Sequence, residues 1–129
     1  MRIEFFLTVF GLLINFAAAN SNISDCQMMK NKEMEMELIS TNIENHNTTK
    51  TEDGGPYKSK KLVCNENMCA IVTYKNAVKK YLPRHPDADS NGYVSFPDID
   101  VLAELEAMIS ARGQYEQASR NCRAKQAKL

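Results

Sequence analysis

Between Ser24 and Asn45 the apolar side chains recur at helical spacing: Met29, Met36 and Ile43 stand seven residues apart, with Cys26 and Ile39 on adjoining positions. This pattern predicts a helix over 24–45 carrying one narrow apolar seam. Met34 to Leu38 alternates apolar and acidic residues and fits a strand's period equally well, but Met, Glu and Leu all favour helix. Ser24, three residues before Gln27, reads as an N-cap, and Asn45-His46-Asn47 as a stop. Residues 46–56 are turn formers with almost nothing apolar, which predicts a surface loop. Tyr57 to Cys64 and Cys69 to Tyr74 are rich in Tyr, Val and Ile on either side of a polar turn, a hairpin signal. Lys75 to Leu82 fits a strand or a helical turn. Pro83-Arg84-His85-Pro86 then breaks any regular element, and a turn at Asp87–Gly92 leads into an extended Tyr93–Phe96, so the β region spans 57–96. Pro97-Asp98 opens a second helix over 98–123. Val101, Met108, Tyr115 and Cys122 recur there at intervals of seven, with Leu102, Leu105 and Ile109 beside them. Gly113 weakens its middle by about 1 kcal/mol against Ala, yet the period carries through.

Neither helix can bury its own seam, so the two must pack together or against other subunits. The fold class this implies is α+β: terminal helices paired antiparallel in a coiled-coil-like way, with a small β-hairpin region between them. The charges agree. Asp25, Glu33, Glu35, Glu37 and Glu44 outweigh Lys30 and Lys32 on the first helix, while Arg112, Arg120, Arg123, Lys125 and Lys128 outweigh Glu116 on the second. An antiparallel pair sets acid beside base and brings Cys26 near Cys122. The seam residues Met29, Met36, Ile43, Val101, Leu105, Met108 and Tyr115 form the candidate assembly interface.

Composition narrows the class. The chain has 129 residues, enough for one modest domain, and 16 basic residues balance 16 acidic ones, which removes the electrostatic footprint of a nucleic-acid binder. The apolar run Phe5–Ile14, followed by Ala17-Ala18-Ala19, has the length and small-residue ending of a secretory signal peptide over 1–19, leaving a domain of 20–129; a retained membrane anchor is the alternative. Export would place the four cysteines in an oxidising space, where two disulfides are expected. Cys64 and Cys69 would staple the hairpin. Cys26 joined to Cys122 would close most of the chain, stabilising it by roughly 4 to 5 kcal/mol.

Candidate chemistry is sparse. Asp87 to Asp98 places oxygen ligands at Asp87, Asp89, Asn91, Ser95 and Asp98, Gly92 at the sixth position and the Tyr93 carbonyl at the seventh, which meets most of a calcium-loop pattern. Pro83, Pro86 and Pro97 interrupt the flanking helices such a loop needs, so a solvated turn competes with calcium. His46 and His85 are the only histidines, and neither lies in a nucleophile-like setting. No enzyme activity, cofactor or small-molecule substrate is expected. Met28, Met29, Met34 and Met36 could bind a soft metal, but packing explains them better, and the basic run Arg120–Lys128 suits a helix C-terminus.

The segment Tyr81-Leu82-Pro83-Arg84-His85-Pro86-Asp87-Ala88-Asp89-Ser90-Asn91-Gly92-Tyr93-Val94 resembles the carboxyl-terminal region of the bacterial flagellar proximal rod proteins of the FlgC family, as does Met108-Ile109-Ser110-Ala111-Arg112 with the nearby Tyr115. Ser40-Thr41-Asn42-Ile43-Glu44-Asn45 with Thr48-Thr49 is similar to that family's amino-terminal S-S-N-[LI]-A-N-x-x-T block, and Gly54-Gly55-Pro56-Tyr57 to its G-G-P-Y turn. The resemblance covers roughly residues 30–118. It implies a structural subunit of the flagellar basal body, located in the periplasmic space, whose helices bundle with other rod subunits or with copies of itself and whose β region faces outward. The leader-like residues 1–19, the two cysteine pairs and the basic end after Asn121 depart from the family pattern and imply a divergent, exported relative.

Overall fold

The computed structural model describes residues 24–66 and 68–128; the leader expected at 1–19 lies outside them. Its elements run α1 (Asp25–Glu44), β1 (Lys60–Asn65), β2 (Met68–Thr73), β3 (Ala77–Tyr81), β4 (Tyr93–Pro97) and α2 (Val101–Gln126). The fold is α+β, with the two helices packed antiparallel. The start of α1 meets the end of α2 at Cys26 and Cys122, and the end of α1 meets the start of α2 at Asn42 and Glu104.

Helix α1 begins where the Ser24 hydroxyl accepts the Gln27 N–H at 3.2 Å and ends at Asn45, whose N–H reaches the Thr41 carbonyl. Helix α2 starts three residues later than the Pro97-Asp98 signal suggested. The Asp98 N–H donates to the Asn76 carbonyl at 3.3 Å and prolongs the strand ladder, so Asp100 becomes the N-cap, its carboxylate accepting the N–H groups of Leu102 and Ala103. The far end runs beyond Arg123 to Gln126, because nothing in the basic segment breaks helix and Lys125 has a partner on α1.

The β region is two separate two-stranded sheets, β1–β2 and β3–β4, both antiparallel. Cys64 faces Cys69 across the first ladder, and the disulfide between them has a Cα separation of 4.0 Å. The ambiguous Lys75–Leu82 supplies strand β3, which pairs Val78 with Phe96 and Tyr81 with Tyr93. Gly92 turns the chain into β4 at φ +85°, under the Tyr81 ring; a Cβ there would lie 2.7 Å from Tyr81 Cε2, so only glycine fits.

Inside the helix pair, α2 turns a face of Val101, Glu104, Met108, Ala111, Tyr115, Ala118 and Cys122 inward, in alternating steps of three and four residues. Ala111, Ala118 and Cys122 are buried there, while Ile39 is the buried apolar residue of α1. Leu102, Leu105 and Ile109 do not join this seam. They sit on a second face of α2, at 67%, 46% and 75% exposure.

Such small interior residues bring the helices close but remove little apolar surface from water, which throws weight onto the covalent closure. Cys26 and Cys122 are bonded with Cα atoms 4.8 Å apart and 96 positions apart in sequence. Replacing both with Ser is expected to lower the unfolding free energy by about 4–5 kcal/mol, against about 2 kcal/mol for the short loop of Cys64 and Cys69. Urea unfolding of the two double variants checks this, and equal losses would contradict it.

Candidate assembly surface and the polar hub behind it

Asn42 is fully buried on the inner face of α1, and all four of its hydrogen-bonding positions are filled. Its amide donates to the Lys60 carbonyl at 2.8 Å and to the Glu104 carboxylate at 3.3 Å. Its carbonyl oxygen accepts the Lys60 N–H at 2.9 Å and the Tyr57 hydroxyl at 3.1 Å. One side chain thereby joins α1, β1, α2 and the loop before β1. Burial raises the Tyr57 pKa above its ordinary value, and the Glu104 carboxylate adds to the shift, so the hydroxyl stays protonated as a donor.

A second link runs from the loop after α1 to the turn before β4. The Thr49 hydroxyl donates to the Asp87 carboxylate at 2.7 Å. Between the two links the loop is shaped by Gly54 and Gly55 at φ +82° and +71°, and the Tyr57 N–H returns to the Thr48 carbonyl. The segments 40–49, 54–57 and 85–93, read separately in sequence, thus fold into one hydrogen-bonded unit behind the helix pair.

The calcium arrangement finds no support. Asp87 is occupied by Thr49, and one Asp89 carboxylate oxygen accepts the N–H groups of Asn91 and Tyr93. The Tyr93 amide is the main cause that holds the Asp89 carboxyl below the usual range. Tyr93 and Ser95 lie in strand β4, so the second half of the loop runs straight along β3 instead of wrapping round an ion. Among the described residues no cluster of three or more His, Cys, Asp or Glu side chains is arranged to hold a metal, and no helix is long and apolar enough to cross a membrane.

Of the candidate interface residues, Met29, Met36, Ile43, Val101, Met108 and Tyr115 are half-buried, each with part of its side chain open, and Leu105 is exposed. Sequence reading passed over Asn42, Tyr57 and Thr49 as individual side chains. The one available signal was a lone polar residue next to Ile43 inside the seam. It also passed over Ala111, Ala118 and Ser119, which are too small to stand out in a hydrophobic pattern.

No protein-family model matches the chain. It is similar to the flagellar basal-body rod protein FlgC of Borreliella burgdorferi, with 30% identity over 112 residues, covering 64% of this chain and 74% of the relative. The chain belongs to the FlgC family of flagellar basal-body rod proteins. It is also similar to FlgC of Salmonella typhimurium, 30% identical over 93 residues with 63% and 69% covered, and to FlgC of Bacillus subtilis, 27% identical over 109 residues with 63% and 73% covered. In this FlgC-family chain two of the motifs that carry the resemblance supply Asn42 and Tyr57 to the polar hub.

The predicted pairing of acid with base across the helices is realised at one end. Lys125 Nζ lies 2.5 Å from Asp25, and the Asn121 amide adds a bond at 3.3 Å. These contacts, the Lys125 bond first, lower the Asp25 pKa.

Asn42→Ala leaves the Tyr57 hydroxyl and both Lys60 backbone groups without their partner and is expected to lower stability by about 2–4 kcal/mol, whereas Tyr57→Phe costs about 1 kcal/mol; thermal melts of both variants test the ranking. The Asp25 carboxyl titrates lower in the folded chain than the ordinary value of about 3.9. Its contribution is therefore complete above that pH and is lost as pH falls through the folded value. Lys125→Met is expected to be less stable than the parent at neutral pH and to converge with it in strong acid, as followed by urea melts across that range.

Proposed function

We propose that this FlgC-family chain is a non-enzymatic structural subunit of the flagellar basal-body rod, acting in motility and assembling through its helices. The observation that carries this reading is the polar hub. Two residues shared with the family pattern, Asn42 and Tyr57, are spent on fixing the helix pair to the β region, so the shared feature is a shape and not a reaction centre.

Assembly then uses what the hub leaves open. The half-buried seam of Met29, Met36 and Ile43 on α1, and of Val101, Met108 and Tyr115 on α2, would be completed by neighbouring subunits in a coiled-coil-like bundle, with Leu105 and its exposed neighbours Leu102 and Ile109 giving α2 a second contact face. The partners are other rod subunits or further copies of the chain. Residues 1–19 act as an export leader, the working domain is 20–129, and its place is the periplasmic side of the basal body. Two disulfides accord with that oxidising location.

Deletion of the gene is expected to abolish swimming in soft agar and to leave basal bodies without a complete rod. The wild-type chain should restore both. The double variant Leu105→Glu, Ile109→Glu, whose changes lie on an exposed face, should fold with native disulfides and fail to restore motility. Normal swimming and complete basal bodies in the deletion strain would overturn the reading.

A further inference from the structure

The β surface of this chain is unpartnered and strongly basic. From Ala70 to Arg84 every residue is exposed, although this stretch contains Ile71, Val72, Tyr74, Val78 and Tyr81. Between Tyr57 and Pro97 there are six Lys and one Arg against three acids, Glu66, Asp87 and Asp89, and of these Asp89 lies near Lys79, so the surface keeps a net positive charge. Lys61 lies over the Tyr74 ring at 5.8 Å beside the first sheet and Lys80 over the Phe96 ring at 4.6 Å on the second, so each sheet sets a cation against an aromatic face. A surface that is both apolar and cationic fits an acidic partner with some apolar content.

The same chain carries one. Glu33, Glu37 and Glu44 are exposed on α1, at spacings of four and seven that set them on one face with a single base, the exposed Lys30, and the exposed Met34 lies beside them. Antiparallel pairing does not neutralise them. The ion pairs among the described residues are Lys32–Glu35, Arg112–Glu116 and Lys125–Asp25, and none includes these three glutamates. A formal net charge of zero thus hides two exposed surfaces of opposite sign.

We infer that the β surface around Lys75, Lys79, Lys80 and Arg84 docks the acidic outer face of α1, Glu33–Met34–Glu37–Glu44, of a second copy of this chain. This rests on the rod-subunit reading and names its partner contact. The two surfaces are different patches of one molecule, so the contact is head-to-tail: it leaves one free face at each end and propagates a ring or an open helix instead of closing as a two-fold dimer. The occupant is a second copy because the charge needed to match the basic β surface is present, exposed and unpaired on α1.

The test uses the purified, oxidised chain in sedimentation-velocity experiments at low salt and at about 1 M salt, where the screening length falls to about 3 Å. Concentration-dependent association is expected at low salt and dissociation at high salt. Lys79→Glu with Lys80→Glu, and separately Glu33→Lys with Glu37→Lys, are each expected to weaken self-association by roughly tenfold or more. All of these positions are exposed, so the variants should keep native circular dichroism. Mixing the two variants restores association, because each then presents the charge that the other lacks. A wild-type chain that stays monomeric at low salt, charge reversals without effect, or mixing that fails to rescue would each overturn the inference. So would a monomeric chain that instead sediments with vesicles of anionic lipid, since the basic surface would then face a membrane. If the charge variants assemble normally while Leu105→Glu, Ile109→Glu fails to restore swimming, the head-to-tail contact falls and the rod reading stands.

Discussion

Closure of the helix pair is the constraint on which the rest of this structure depends. The interior between the helices contains Ile39 and, on α2, chiefly Ala111, Ala118, Ser119 and Cys122, side chains that allow close approach but bury little apolar area. A seam of that kind holds two helices together weakly. The Cys26–Cys122 bond at one end and the Asn42 network at the other fix both ends, and the half-buried residues between them need no further partner within the chain. The outward parts of Met29, Met36, Met108 and Tyr115 remain open to solvent.

Asn42 also determines register. Its four partners come from three places in the chain, and a slide of α1 along α2 by one residue would bury the side chain without them, at a cost of one to several kcal/mol. An apolar residue in its place could pack in several alignments. A fully satisfied polar group tolerates one, which is the behaviour expected of a subunit that must present the same surfaces in every copy. Thr49 and Asp87 extend this definition to the turn before β4, so that the outlying sheet is held to the helices through loops.

The two sheets have a different character. Each is only two strands wide, and most of their side chains are exposed, with Val94 as the fully buried apolar exception. Two-stranded sheets are marginal in water, and here the Cys64–Cys69 bond and the Gly92 turn under Tyr81 supply local rigidity in place of a core. The outcome is a rigid surface that contributes little to internal packing, with cations and tyrosines facing outward. This division of labour, helices and hub for shape and sheets for surface, accords with membership in a family of rod proteins.

Periodicity in the sequence marked out the two helices, while the charge distribution along them and the positions of the four cysteines pointed to their antiparallel sense and to the cysteine pairings. Family motifs were equally readable, since they are local strings. Tertiary structure decided which apolar residues face inward: Leu102, Leu105 and Ile109 share α2's apolar pattern with Val101 and Met108, and only the position of α1 separates the two faces. It also decided that Lys75–Leu82 is a strand, since that segment acquires its conformation from pairing with β4, and that Asp98 belongs to the ladder and not to the helix. The hub was invisible for the same reason. A hydrogen bond between residues 42 and 104 leaves no periodic trace, because it depends on distance in space and not on spacing along the chain.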